Sequence, residues 1–288
     1  MKKLIINADG FGFTSGINKG IIESIEYGVV TSVSCNVNFE HIKDIEKLNA
    51  EYSNISIGIH LNVNVGKPIL KPDEIPSLVN SKGEFWSEKF KDKFFSGKIK
   101  LCDIEKELDA QIRKLKAYGV SISHMDGHQN KHLYPGYFDI VLKLGKKYNI
   151  RKIRCHRRYL FLRDCKSRDK QIFFYYFKNP QRILSHWYAG FQMKKARRDG
   201  YRMADRLITP AYIDKTFKYN LDTWLAIVKK LPVGINEIYC HPGYVDDELR
   251  KYAKYLNERE EEVKIMTNKE LRNAIEAENI QLISFNEL

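Results

Sequence analysis

Short apolar, β-branched runs alternate with amphipathic stretches of helical period along most of the chain. Leu4–Asp9 reads as a strand and Ser15–Tyr27 as a helix that Gly28 closes. Thr31–Asn38 alternates as a strand, His41–Tyr52 follows helical spacing, and Ile55–Val63 reads as the next strand. Asp103–Tyr118 places Leu108, Ile112 and Leu115 on one helical face and stops at Gly119. Strand-like Val120–Met125, helical Tyr137–Tyr148 and strand-like Lys152–Cys155 follow. The same rhythm resumes with helix Leu221–Leu231, strand Ile235–Cys240, helix Asn268–Glu278 and strand Ile280–Phe285. Repeated strand–helix units predict an α/β fold with a parallel sheet, open or closed into a barrel. No internal repeat or low-complexity linker divides the chain. One stretch, Gly66–Phe95, reads as a loop carrying Pro68, Pro72 and Pro76.

The polar exceptions to this pattern fall at one kind of place. Asp9 ends the first strand, His60 lies near the end of the third, and His241 follows the penultimate one. Residues His124 to His132, with three of the eight histidines, follow the fourth. Barrel enzymes carry their chemistry at the C-terminal ends of strands. A core histidine has no reason to choose that position repeatedly, so the placement points to a reaction centre.

Composition narrows the class. At 288 residues the chain suits one barrel or two ordinary domains. Only Leu4-Ile5-Ile6 separates Met1-Lys2-Lys3 from Asn7 and Asp9, shorter than the apolar part of a secretory signal. No apolar run approaches a membrane span. Cys35, Cys102, Cys155, Cys165 and Cys240 are odd in number and scattered, which suits a reduced, cytoplasmic setting. The charge is uneven. Fourteen basic and four acidic residues lie between His156 and Arg206, giving +10 of the chain's +13. That stretch also holds Phe173-Phe174-Tyr175-Tyr176-Phe177 and Trp187-Tyr188. It reads as an insertion of about 156–206 in a domain spanning 1–288. Two roles are open to it: contact with an anionic membrane surface or acidic substrate, or a solvated basic helix pair with internal aromatics.

Each candidate residue has two readings. His60 is either a structural histidine or a ligand. His128 and His132, four apart, share one face if that turn is helical. Asp126 can ligate a metal or orient a histidine through its other ring nitrogen. The whole run can also be a turn-forming loop. Pro242-Gly243 after His241 holds that imidazole rigidly, as a general acid requires, or marks an ordinary turn. Asn7-Ala8-Asp9-Gly10-Phe11-Gly12 lacks the dinucleotide-binding spacing, and neither a phosphate loop nor a nucleophile elbow occurs. An activated water is therefore the expected nucleophile.

Five blocks in order carry a resemblance. They are Ile5-Ile6-Asn7-Ala8-Asp9 with Phe11-Gly12 and Gly16–Gly20; Gly28-Val29-Val30-Thr31-Ser32; Gly58-Ile59-His60-Leu61-Asn62; His124-Met125-Asp126-Gly127-His128 with His132; and Glu237–Gly243. Together with Ile283-Ser284-Phe285 they resemble the YdjC-like (ChbG/HpnK) family of carbohydrate deacetylases. The resemblance implies a distorted (β/α) barrel of the glycoside hydrolase/deacetylase type that removes an acetyl group from an N-acetylated sugar. It implies a divalent metal, Mg2+ or Zn2+, on His60 and His128, with Asp9 as base and His241 as acid. Asp126 and His132 become supporting groups or substrate contacts. Two positions depart from the family. Its second aspartate, a metal ligand, is Gly10 here, and the middle histidine of its His-rich run is Asn130. Asp9 as ligand, a water in that place, or lost activity are the three consequences open. Retained but altered chemistry is expected because His60, His128 and His241 persist. The expected partner is an acetylated amino sugar or oligosaccharide, lipid-linked or otherwise anionic, met at the cytoplasmic membrane face. The alternative is a catalytically weak carbohydrate-binding protein on the same barrel. No nucleic acid is expected.

Overall fold

The computed structural model describes residues 1–161, 173, 175–210, 220–253 and 255–288. Its organising element is β1 (Lys2–Phe11), whose last eight residues are buried without interruption. That continuous apolar reading belongs to a strand covered on both faces of a parallel sheet. β1 pairs with β2 (Ser32–Cys35) on one side and β7 (Gly234–Cys240) on the other, both parallel. β3 (Ser56–Leu61) and β4 (Met125–Gly127) extend the β2 side; β6 (Arg206–Pro210) and β5 (Arg158–Phe161) extend the β7 side. β8 (Ile280–Leu282) also pairs with β1. The sheet thus runs β4-β3-β2-β1-β7-β6-β5, curled into an incomplete barrel. Isolated parallel bridges, Met125 to Ile153 and Lys152 to Arg202, carry pairing onward from β4.

The helices are α1 (Ser15–Glu26), α2 (Ile45–Glu51), α3 (Phe90–Phe95), α4 (Leu101–Ala117), α5 (Tyr137–Lys147), α6 (Pro180–Arg198), α7 (Leu221–Lys229), α8 (Asp247–Tyr252), α9 (Asn257–Met266) and α10 (Lys269–Ala277). Thr14 caps α1 by accepting from the Ile17 N–H. The close packing of α1 on the turn after β7 requires small residues. A Cβ at Gly20 would lie 2.5 Å from the Gly243 Cα, and one at Gly243 would lie 2.3 Å from Ile17 Cδ1. This contact fixes the segment that carries His241.

Several elements differ from the sequence expectation. β2 covers only four residues of the expected Thr31–Asn38. The region expected as helix His41–Tyr52 divides into a 3-10 turn, Glu40–Asp44, and α2. Val120–Met125 is not a strand of its own, although Ser123 donates to Ile57 and Ile59 to His124; the ladder begins at Met125. Lys152–Cys155 forms isolated bridges rather than a strand. The last strand stops at Leu282, because Ser284 and Glu287 form a capping box that opens a 3-10 turn. The stretch Gly66–Phe95 contains a 3-10 turn and α3. α8 and α9 were not expected from the pattern.

The basic stretch is also organised differently. β5 and the first residue of β6 lie within 156–206, so sheet strands bracket the excursion. Arg163, Lys166, Arg168, Lys170 and Phe174 lie outside the described residues. α6 buries Ala189, Gln192, Met193 and Ala196. Its opposite side exposes Ile183, Leu184, Trp187 and Phe191, with Trp187 70% exposed, so these aromatics are not internal. Among the described residues no helix is long and apolar enough to cross a membrane.

Candidate active site

The strand register brings the expected polar residues together. Asp9 on β1 lies level with Ser34, and His60 on β3 lies level with Asp126 on β4. β7 ends at Cys240, level with Ala8, so His241 emerges beside Asp9. One cavity of about 160 Å³ is lined by Asp9, Gly10, Asn36, His60, His128, Arg154, Tyr239, His241 and Arg259, among others. Thus four predicted residues, Asp9, His60, His128 and His241, share a single wall.

At the base of this wall is Arg154, which the sequence reading missed. Its Nη1 and Nη2 donate to Asp9 Oδ2 and Oδ1 at 2.7 and 2.6 Å. Nε donates to Glu237 Oε1 at 2.7 Å, and Nη1 lies 2.8 Å from Asp126 Oδ2. All four residues are buried. Three carboxyl groups thus share one buried guanidinium, so each depends on Arg154 for its counter-charge. Arg154 and His60 overcome burial to hold the Asp126 carboxyl well below the usual carboxylate range. Burial pushes Glu237 up to about 7 against the pull of Arg154.

Asp126 orients rather than faces the cavity. Its Oδ1 accepts from His60 Nδ1 at 2.8 Å, and its Oδ2 accepts from Ser34 Oγ at 2.9 Å. Burial disfavours charge on His60, but Asp126 outweighs it and raises the imidazole's pKa. With Nδ1 held, Nε2 is the donor that His60 offers to the cavity. His128 meets it edge to face, ring centroids 5.4 Å apart. With metal–nitrogen bonds of about 2.1 Å, two imidazoles on one ion keep their centroids roughly 5 to 6 Å apart. Burial, then the nearby His60, lowers His128 to about 3, leaving it the neutral ring that ligation needs.

Asp9, His60 and Asp126 also bring one donor atom each within 4.8 Å of one another. Their carboxylate oxygens are already engaged. Asp9 accepts from Arg154 twice and from Asn7 Nδ2 at 2.7 Å. A carboxylate offers about four acceptor sites, so roughly one remains on Asp9. That is enough to accept a proton and poor for holding an ion. The donor chemistry fits a divalent cation at the imidazole pair, beside the carboxylate cluster.

His132 does not share a helical face with His128. The turn His128–Leu133 is a 3-10 element in which Gln129 and Asn130 take left-handed φ of 53° and 57°. His132 consequently turns behind the cavity wall, 5.0 Å in ring-centroid distance from His156. It stays in the neighbourhood of the site without lining it. Burial lowers its pKa to about 3. His124 is structural: its ring stacks on Phe285 at 3.6 Å and bonds Ser34 Oγ and Ser123 Oγ. His241 donates its backbone N–H to Glu262 Oε2 at 2.5 Å, while its partly exposed imidazole lines the cavity. Glu237 did carry a sequence signal: it is a charge between Ile235 and Ile238, and such charges are buried only when paired. Arg154 did not, because Arg151, Lys152, Arg157 and Arg158 surround it in the sequence.

A second, larger groove of about 740 Å³ adjoins the first and shares Gln129 and Asn130 with it. Tyr134, Tyr188, Arg158, Arg182 and His186 line it, so one wall belongs to α6.

Comparison with known proteins finds similar sequences and a similar fold. The sequence model of the YdjC-like proteins matches residues 3–277. A carbohydrate deacetylase of Brevibacillus brevis is 30% identical over 287 residues, covering 99% of each chain. One of Thermoanaerobacter pseudethanolicus is 29% identical over 288 residues, covering 99% of this chain and 98% of its own. A solved structure from Enterococcus faecalis, described as a cellobiose-phosphate cleavage protein, superposes with a TM-score of 0.78 at 27% identity. It covers 99% of this chain and 98% of that one.

Proposed function

The chain belongs to the YdjC-like family, and from that premise we propose that it is a metal-dependent carbohydrate N-deacetylase. The observation that carries this reading is the convergence of Asp9, His60, His128 and His241 on one cavity. His60 and His128 are the residues that would hold the divalent ion. When bound there, such an ion polarises the acetamide carbonyl and lowers the pKa of an adjoining water. Arg154 fixes the plane of the Asp9 carboxylate, which takes the proton from the attacking water. His241 gives a proton to the amine as the C–N bond breaks, so acetate and the free amino sugar leave. The test is acetate release from N-acetylglucosamine oligomers by protein of measured metal content. Oligomer binding without acetate release at any metal loading would identify a binding protein instead.

The larger groove supports a narrower reading of the substrate. Arg158 and Arg182 beside Tyr134 and Tyr188 suit an anionic group adjoining a sugar ring. The exposed apolar side of α6, rimmed by Lys194, Lys195, Arg197 and Arg198, suits an anionic membrane surface. The substrate is then a lipid-linked or otherwise anionic amino sugar, met at the cytoplasmic membrane face. Co-sedimentation with anionic vesicles tests this. Trp187→Glu with Leu184→Glu should abolish binding, and vesicle binding unchanged by both substitutions removes the membrane proposal.

A further inference from the structure

Asn36 is a cavity-lining side chain whose polar chemistry the proposed reaction leaves unused. It directly follows β2. Cys35, the last residue of β2, is level with Ile59, the residue before His60. The Asn36 backbone N–H donates to Phe11 at 2.8 Å, which pins it across the sheet. The side chain is 2% exposed and lines the same cavity as His60 and His128. Its Oδ1 is buried and accepts no hydrogen bond. An amide oxygen withdrawn from water without a partner is unfavourable, and native proteins keep one chiefly where a ligand completes it.

The adjoining strand has an opening at the matching place. Gly10 carries no side chain, and an added Cβ would meet only Asn36 Nδ2 and Ile17 Cγ2, each at 3.9 Å. The Asn36 amide therefore borders the space that a residue-10 side chain would occupy. Turning that amide about its last torsion exchanges oxygen and nitrogen, so the oxygen can face this space. The neighbouring carboxyl groups of Asp9, Asp126 and Glu237 already share Arg154. A neutral oxygen is then sufficient where a fourth carboxylate would add repulsion.

We infer that Asn36 supplies, through Oδ1, the oxygen ligand that completes the His60–His128 ion site, in place of a carboxylate at position 10. This rests on the proposal that His60 and His128 hold a divalent ion. The resulting set of two imidazoles and one amide oxygen, with positions open to water and substrate, is a competent donor set for zinc or manganese.

The test is calorimetric titration of metal-free protein with Zn2+, paired with visible absorption of the Co2+-loaded form. Asn36→Ala should weaken Zn2+ binding by about tenfold or more and alter the cobalt bands; the near-isosteric Asn36→Asp should tighten binding by a comparable factor. His60→Ala is the control. Wild-type affinity and an unchanged cobalt spectrum in both Asn36 variants would overturn the inference while leaving the imidazole site standing. Wild-type protein that binds no Zn2+, or binds it equally well without His60, would overturn the ion site itself and this inference with it. Circular dichroism reports whether Asn36→Ala folds, and the aspartate variant decides the matter if it does not.

Discussion

Arg154 grips Asp9 with both terminal nitrogens, at 2.6 and 2.7 Å, although the two residues are 145 positions apart. Together with the bond from Asn7, this fork fills three of about four acceptor positions on the carboxylate, which suits Asp9 to the proposed role of base better than to that of ligand. It also makes Arg154 the counter-charge for Asp126 and Glu237.

Arg154→Met should therefore destabilise the protein by about 3 to 5 kcal/mol, because it leaves three buried carboxylates without their partner. Urea unfolding of the variant measures this. Arg154→Lys keeps the charge but loses the fork, so it should fold and lose kcat with little change in KM. A lysine variant with wild-type kcat would show that orientation of Asp9 is unimportant.

His241 and the His60–His128 pair should separate cleanly in two assays. His241→Ala is expected to lower kcat by about two to four powers of ten while metal content stays unchanged. His60→Ala and His128→Ala should each lose the metal, as measured by elemental analysis of the purified protein. Loss of metal from the His241 variant would place that imidazole in the ion site instead of beside the leaving amine.

Asp9, His60 and His241 were legible because each interrupts or ends an apolar run at a strand's C-terminal end, and His128 because it belongs to the histidine-dense run that follows a strand. Glu237 breaks such a run too, but its partner Arg154 lies 83 positions away in a basic stretch, and no local pattern reveals a pairing at that range. The spacing of His128 and His132 was misleading for a different reason. Helical facing assumes right-handed backbone, while Gln129 and Asn130 are left-handed and turn His132 behind the wall. His124 reads like a site residue in sequence because its structural contacts, to Phe285 and Ser34, are also long-range. The short strands were overextended since β-branched residues continue past the last ladder bond.

Stability of the metal-free protein should fall as pH drops from about 6.5 toward 4. His124, His128 and His132 are each lowered to about 3 by burial, so the unfolded chain binds protons in this window and the folded chain does not. Each contributes a slope of roughly 1 to 1.5 kcal/mol per pH unit. Glu237, raised to about 7, acts in the opposite sense, since the folded state then binds the proton more readily. His60 is raised, so its contribution is fully present below its unfolded pKa and adds no slope there. Burial also lowers His156 and His186 and raises Glu107; the lowered histidines outnumber the two raised glutamates, and the urea midpoint should be lower at pH 5 than at pH 7. A midpoint that is level or rises on acidification contradicts the neutral state of these rings.

Gly10 should be constrained by its backbone more than by space. Its φ is 109°, outside the range L-residues adopt readily, yet a Cβ there meets nothing closer than 3.9 Å. Gly10→Ala is expected to cost about 1 to 3 kcal/mol through strain alone. Gly10→Asp carries the same strain but places a carboxylate beside Asn36, within reach of the proposed ion. Saturating Zn2+ should consequently raise the melting temperature of Gly10→Asp by more than it raises that of Gly10→Ala. Ligand binding stabilises in proportion to the logarithm of ligand concentration over Kd, so the difference reads the affinity gained. Equal metal-induced shifts in the two variants would mean that residue 10 does not face the ion.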